Sequence, residues 1–232
     1  MTAPAVPVHD IGGVPRAFAR LVNHDPRSRA FGIVVNPRMP LKTTLWANNA
    51  PVLDQGQTGS CTGNALAQWV NTHRSTQPST RAGSWLTEED AVSIYSRGTQ
   101  LDGIDGEYPP DDTGCDGNSV AKAAREKGLI ASWRHAFTMT QVLAALQSGP
   151  VMVGTAWLAD MEEPGAGGVL KVAGDELGGH EYLLRGCNIE HEFVTMLNSW
   201  GSSWGENGSA RIHFTDLQKL LRAQGDATIP IA

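Results

Sequence analysis

Cysteine is scarce in this chain, basic residues never gather, and no apolar run is long. Cys61, Cys115 and Cys187 are the three cysteines among 232 residues. An odd, small number argues against a disulfide scaffold, and at least one thiol must stay unpaired in a monomer. Lys and Arg total 18 against 24 Asp and Glu, a net charge of −6 with no basic block, so no nucleic-acid surface is expected. The longest uncharged run, 136–159, is interrupted by polar residues and by Gly149-Pro150, which excludes a membrane span. The opening "MTAPAVPVHDIGGVPRAF" has no apolar core of the length a secretory signal needs, so no export is expected. What remains is ordinary for a folded protein: 41% hydrophobic and 18% charged residues, in a length that suits one large domain or two small lobes.

Residues 1–40 contain Pro and Arg with weak periodicity and read as an N-terminal arm or strap. Residues 41–130 are mainly helical in pattern. Ala65, Leu66, Trp69, Val70 and His73 recur at helical spacing from Cys61, and a second helix follows Thr87, with Glu88 and Glu89 in its first turn. A third is expected over Val120–Lys127, capped by Asn118 or Ser119 and stopped by Gly128. A fourth carries the box Thr138-x-x-Gln141. Residues 131–232 then turn to strand-like runs, "VMVGTAW", "EYLLRGC", "EFVTML" and "ARIHF", before a short helix "TDLQKLL" with the box Thr215-x-x-Gln218. The segregation implies an α+β fold of two lobes, one helical and one sheet-rich, with an active site in the cleft between them.

Chemistry gathers in "VLDQGQTGSCTGNALAQWV". Cys61 stands where a glycine-rich loop becomes a helix, and a helix N-terminus favours the thiolate. Gly59, Ser60 and Gly63 leave room for a substrate backbone. Gln55, six residues upstream (61 − 55), can return its amide beside the sulfur, where it and the Cys61 N–H would hold an oxyanion. A nucleophile needs a base and the base an orienter. Of the seven histidines, His180 stands out, because "LGG" precedes it and a strand follows. Eighteen residues on, "NSWGSSWGENG" offers Asn198 to accept a bond from the ring and Trp200 to roof that bond.

With these residues in place the sequence resembles the papain-like cysteine peptidases. "DQGQTGSCTGNA", "GCDGNSVAKAAREKGLI", "GGHEYLLRGC" and "NSWGSSWGENGSARI" match the family's blocks in order, over roughly residues 42–214. The resemblance implies Cys61 as nucleophile, His180 as its ion-pair partner and later general acid, and Asn198 as orienter. It also implies Gln55 in the oxyanion hole, Trp200 as shield, and Gly117 with Gly178 or Gly179 lining the substrate cleft. The departures are specific. Thr58 stands where the family usually has a cysteine, so the disulfide to Cys115 cannot form, which fits a reducing compartment. Thr62 replaces an aromatic, and Asn118 replaces a second cleft glycine. These departures place the chain with divergent bacterial or bacteriophage members. Glu181 follows His180 where a small residue is common; it either raises the His pKa, favours a basic substrate group, or is a solvated strand residue.

The resemblance implies a thiol protease that hydrolyses peptide bonds through a thioester, a monomer acting on a peptide or protein without cofactor or metal. Its location would be cytoplasmic or virion-associated, by analogy with proteins of actinobacteria and their phages. The alternatives are an amide hydrolase or acyl transferase of the same mechanism acting on cell-wall peptide, or a non-catalytic virion-associated module. No helical inhibitory propeptide is expected; the arm is either a strap across the β lobe or a segment that occludes or extends the cleft. The acidic stretch Asp102, Asp105, Glu107, Asp111, Asp112 and Asp116 lacks EF-hand spacing and reads as a solvated loop. "HEYLL" and "HEFVT" lack the second histidine of a zinc peptidase. Cys187 reads as a core residue.

Overall fold

The computed structural model describes residues 6–36, 38–76 and 85–232, so the first five residues of the arm lie outside it. The arm opens with a hairpin of β1 (Val8–Ile11) and β2 (Val14–Ala17). Its turn is Gly12-Gly13, with φ of 58° and 85°. A two-residue hairpin turn of this hand needs positive φ at both places. The chain then passes a 3-10 turn at Pro26–Phe31 and reaches the short β3 (Thr44–Leu45).

Three helices follow. In α1 (Cys61–Ser75) every residue from 61 to 72 is buried, which marks a central helix rather than a surface one. α2 (Glu88–Thr99) starts at a capping box between Thr87 and Asp90. α3 (Gly117–Glu126) begins three residues before the expected start. The reason is Asp116, whose carboxylate accepts from the Ser119 N–H at 2.8 Å and its hydroxyl at 2.9 Å and so displaces Asn118 and Ser119 as cap. Gly128, at φ 69°, follows the helix as expected. Asp112 also departs from the solvated-loop reading: it accepts from the Gly59 N–H at 2.7 Å and from the Tyr95 hydroxyl.

The second half supplies β4 (Ser132–Ala136), α4 (Met139–Leu146), β5 (Val151–Leu158), β6 (Glu176–Asn188), β7 (Phe193–Leu197), β8 (Ser209–His213), α5 (Phe214–Arg222) and β9 (Asp226–Ile231). α4 has the expected cap, with Thr138 accepting from the Gln141 N–H. α5 does not: it starts at Phe214 with no side-chain cap, and the Thr215-x-x-Gln218 box is not formed. The sheet runs β4-β9-β5-β6-β7-β8, with β3 also on β6, and its pairs are antiparallel. The last strand, β9, is thus inserted between β4 and β5.

Two apolar clusters correspond to the two lobes. One joins Leu66, Trp69, Ile94, Tyr95 and Val120 from the helices to Met152, Leu183 and Leu197 from the sheet, so the helical lobe is seated on the sheet itself. The other lies within the β lobe and takes in Ile11 and Phe18 from the arm. Leu183, fully buried at the seam, tests this packing. Leu183→Ala should cost about 2–5 kcal/mol, read as a lowered denaturant midpoint. Val34→Ser, at a side chain 97% exposed, should change stability by less than about 0.5 kcal/mol.

Candidate active site

Each candidate side chain is delivered by an element end or by a strand in the middle of the sheet. Cys61 is the first residue of α1; no side chain caps that helix, and the Thr62 N–H faces the Cys61 sulfur. His180 lies within β6, opposite Thr155 of β5. The strand begins at Glu176, so Gly178 and Gly179 are part of it rather than a loop before it. Asn198 directly follows β7 and is pinned by its own N–H to the Gly208 carbonyl at 2.8 Å.

The imidazole and the amide meet at 2.7 Å between His180 Nε2 and Asn198 Oδ1. Asn198 Oδ1 also accepts from the Ser199 N–H at 2.9 Å, which fixes it as an acceptor, so Nε2 donates. Neutral His180 therefore carries its proton on Nε2 and leaves Nδ1 basic. Nδ1 has no hydrogen-bond partner, the Cys61 sulfur included. Trp200 is fully buried with its ring 5.1 Å from that of His180, and Trp157 meets the same imidazole edge-on at 5.0 Å. Gln55 is held from both ends. Its Oε1 accepts from Ser199 Oγ at 2.7 Å, and its Nε2 donates to the Thr58 carbonyl at 3.0 Å.

The arm runs through the middle of this constellation. Gln55 Nε2 also donates to the Ala17 carbonyl at 3.3 Å. Phe18 stands edge-on over His180 at 5.9 Å and over Trp200 at 5.8 Å. Residues 19–21 then bridge the two sides. The Arg20 N–H donates to the Gly179 carbonyl, the Leu21 N–H to the Cys115 carbonyl, and Ala19 accepts from the Cys115 N–H, at 2.9, 2.9 and 3.0 Å. Residues 17–21 of the arm thus lie between Gly179 of the sheet and Cys115 of the helical side, against Gln55 and His180. The cleft glycines fit around it: a Cβ on Gly179 would stand 1.9 Å from the Arg20 carbonyl oxygen, one on Gly178 2.7 Å from Phe18 Cβ, and one on Gly59 2.6 Å from Ala19 Cβ. Gly117, by contrast, opens toward Glu181 and Thr228.

Burial under the arm sets the protonation. Cys61 is 0% exposed. Burial pushes its thiol up to about 12, against the backbone N–H groups of Glu181, Ala19 and Thr62 that pull it down. Burial likewise holds His180 down at about 4, with Asn198 opposing and Arg16 of the arm adding to the shift. The thiolate expected at the helix start is thus absent from the covered form, whose cysteine and histidine are both neutral. Glu181 is buried at 1% exposure rather than solvated, and it is not among the causes acting on His180.

All three cysteines are free thiols, Cys115 among them. Cys187 lies in the β-lobe core. Among the described residues no group of three or more His, Cys, Asp or Glu is placed to hold a metal, and no helix is long and apolar enough to cross a membrane. The sequence reading missed Phe18, Ala19, Arg20 and Asp226, for which no motif gives a signal; Ser199 could have been found, since it lies inside the block that marks Asn198.

No protein-family model matches the chain, and no curated protein matches it in sequence. Solved structures do. Xylellain, a cysteine protease from Xylella fastidiosa, superposes with a TM-score of 0.71 at 17% identity, over 93% of this chain and 96% of that one. A procathepsin B from Trypanosoma congolense gives 0.66 at 13% identity, over 93% and 87%. Digestive procathepsin L 3 from Tenebrio molitor larval midgut gives 0.61 at 17%, over 91% and 77%. The chain has the two-lobe fold of the papain-like cysteine proteases.

Proposed function

We propose that the chain is a papain-like cysteine endopeptidase, drawn here in a latent form with its own arm in the cleft. The observation that carries this reading is the His180–Asn198 bond under Trp200. It leaves a basic, unpartnered Nδ1 on the residue next to Glu181, whose N–H faces the Cys61 sulfur. Once the arm leaves, water and substrate reach the pair and the burial that keeps both groups neutral is relieved. Cys61 gives its proton to His180 Nδ1, and the imidazolium is held by Asn198. The sulfur then attacks the substrate carbonyl carbon. The carbonyl oxygen takes up negative charge against the Gln55 amide and the Cys61 N–H. The C–N bond breaks as His180 delivers its proton to the leaving amine, leaving a thioester on Cys61. Water, deprotonated by His180, hydrolyses the thioester and restores the thiol.

The arm occupies the positions that this cycle needs. The Ala17 carbonyl already takes the Gln55 amide, and Phe18 covers the imidazole. The Ala19 N–H points at the sulfur. Ala19 is buried against Gly59 and Gly114, so a larger side chain there should displace the arm.

Two outcomes are expected. In the full chain carrying Ala19→Leu, an epoxide that alkylates thiols should modify Cys61 at pH 7 at least about tenfold faster than in the unaltered chain. Peptide mapping should find no label there after Cys61→Ala. Equal rates in the two chains would show that the arm does not control access. On the Ala19→Leu background, Cys61→Ala should abolish hydrolysis of a peptide library, and Gln55→Ala should lower kcat by about 10²-fold. Hydrolysis that survives Cys61→Ala would refute the thiol mechanism.

A further inference from the structure

The arm carries a cation into the protein. The Arg20 side chain is 2% exposed, and its Nη2 donates to Asp226 Oδ1 and, at 3.1 Å, to the Gln224 carbonyl. Glu181 borders the same space. Its Oε2 is buried without a hydrogen-bond partner, and so is Arg20 Nε. Both atoms lie 2.4 Å from the point where a Cβ on Gly154 would stand, hence no more than twice that distance apart. The guanidinium therefore occupies a pocket with a carboxyl group on each of two strands, β6 and β9.

The pocket is built by missing side chains as much as by charged ones. Gly154 of β5 pairs with both Glu181 and Asp226, and any side chain there would fill the space the guanidinium takes. A Cβ on Gly117 would stand 3.1 Å from both Glu181 Oε1 and Thr228 Oγ1, so that wall is cut back as well. Glu181 is buried and Asp226 half-buried beside it, and two carboxyl groups this close ionise together only with a cation between them. Burial, and then Asp226, push the Glu181 carboxyl well above its ordinary range, while Arg20 pulls it down. Among the described residues, Arg20 is the basic group in salt-bridge contact with Asp226.

The pocket is also next to the reacting atoms. The Arg20 N–H is bonded to the carbonyl of Gly179, beside His180, and the N–H of Ala19, one residue earlier, faces the Cys61 sulfur. A peptide laid along Gly179 and Cys115 with the pairing that residues 19–21 make would present a side chain to the same place. We infer that the Glu181–Asp226 pocket is a specificity pocket that takes an arginine or lysine side chain of the substrate, and that Arg20 fills it in the covered form. The inference rests on the peptidase reading above. It names the substrate class as peptides with a basic residue within two positions of the cleaved bond.

The test uses the full chain carrying Ala19→Leu, which keeps both carboxyl groups and Arg20, and the same chain with Arg20→Gln added, which removes the cation from the pocket. Fluorogenic peptides with arginine or norleucine scanned through the two residues on each side of the bond are compared by kcat/KM. Arginine should be favoured at one position by at least about tenfold, and adding Asp226→Asn should bring the ratio to within about threefold of unity. Cleavage with no such preference overturns the pocket and leaves the peptidase reading intact. A second measurement does not depend on catalysis: p-aminobenzamidine, which fluoresces when desolvated, should bind the Arg20→Gln chain and not that chain with Asp226→Asn. If that binding is seen but no peptide is cut, the pocket stands and the peptidase reading falls. If neither binding nor arginine preference is seen, the inference is refuted.

Discussion

The state of this molecule depends on one short bridging segment. Residues 19–21 bond to Gly179 on the sheet side and to Cys115 on the helical side, so a segment of the chain's own N-terminus serves as the layer between the lobes. Three backbone hydrogen bonds are worth little each in net terms, about 1 kcal/mol. Their effect comes from what they hold in place: Phe18 over the imidazole, the Ala17 carbonyl on Gln55, and a guanidinium between two carboxyl groups. The burial of Cys61 and His180 follows from that placement.

Two opposing effects act on Cys61, and their magnitudes decide the outcome. The start of a helix favours a thiolate by about 0.3–1 kcal/mol when exposed and up to about 2 when partly buried. Complete burial disfavours a charge by as much as about 3–5 pKa units, where one unit is about 1.4 kcal/mol. Under the arm burial wins, and the thiol sits near 12. In the proposed function, the helix start would favour the thiolate once water reaches the sulfur, and desolvation opposes it until then.

The local signals were legible where a side chain acts on its own neighbourhood. Cys61 at a helix start, the Thr138 cap and the proximity of His180 to Asn198 all follow from short motifs or from blocks that match a family. Legibility failed where a partner comes from far along the chain. β4 and β9 pair with each other across about ninety residues; β4 is short, and β9 carries Pro230, so neither has a clean alternating pattern. Asp116 displaced the expected cap because two donors of Ser119 converge on it. The arm was recognised as a separate piece, yet "RAFAR" holds no motif that says where it docks, because its partners are backbone groups and carboxylates that only the fold assembles. Glu181 was singled out for being unusual, while Asp226, its counterpart more than forty residues later, carried no mark at all.

The three free thiols have a consequence for chemical durability. Peroxide oxidises thiolates in reach of solvent, and the damage beyond sulfenic acid is not readily reversed. Here Cys61 is buried and protonated, Cys115 is pushed further toward the thiol by burial and by Asp116 and Asp102, and Cys187 lies in the β-lobe core. With no disulfide to preserve, a reducing environment costs this fold nothing, and an oxidising one finds little to attack while the arm is seated. The burial that holds Cys61 as a neutral thiol therefore also shields it from oxidants.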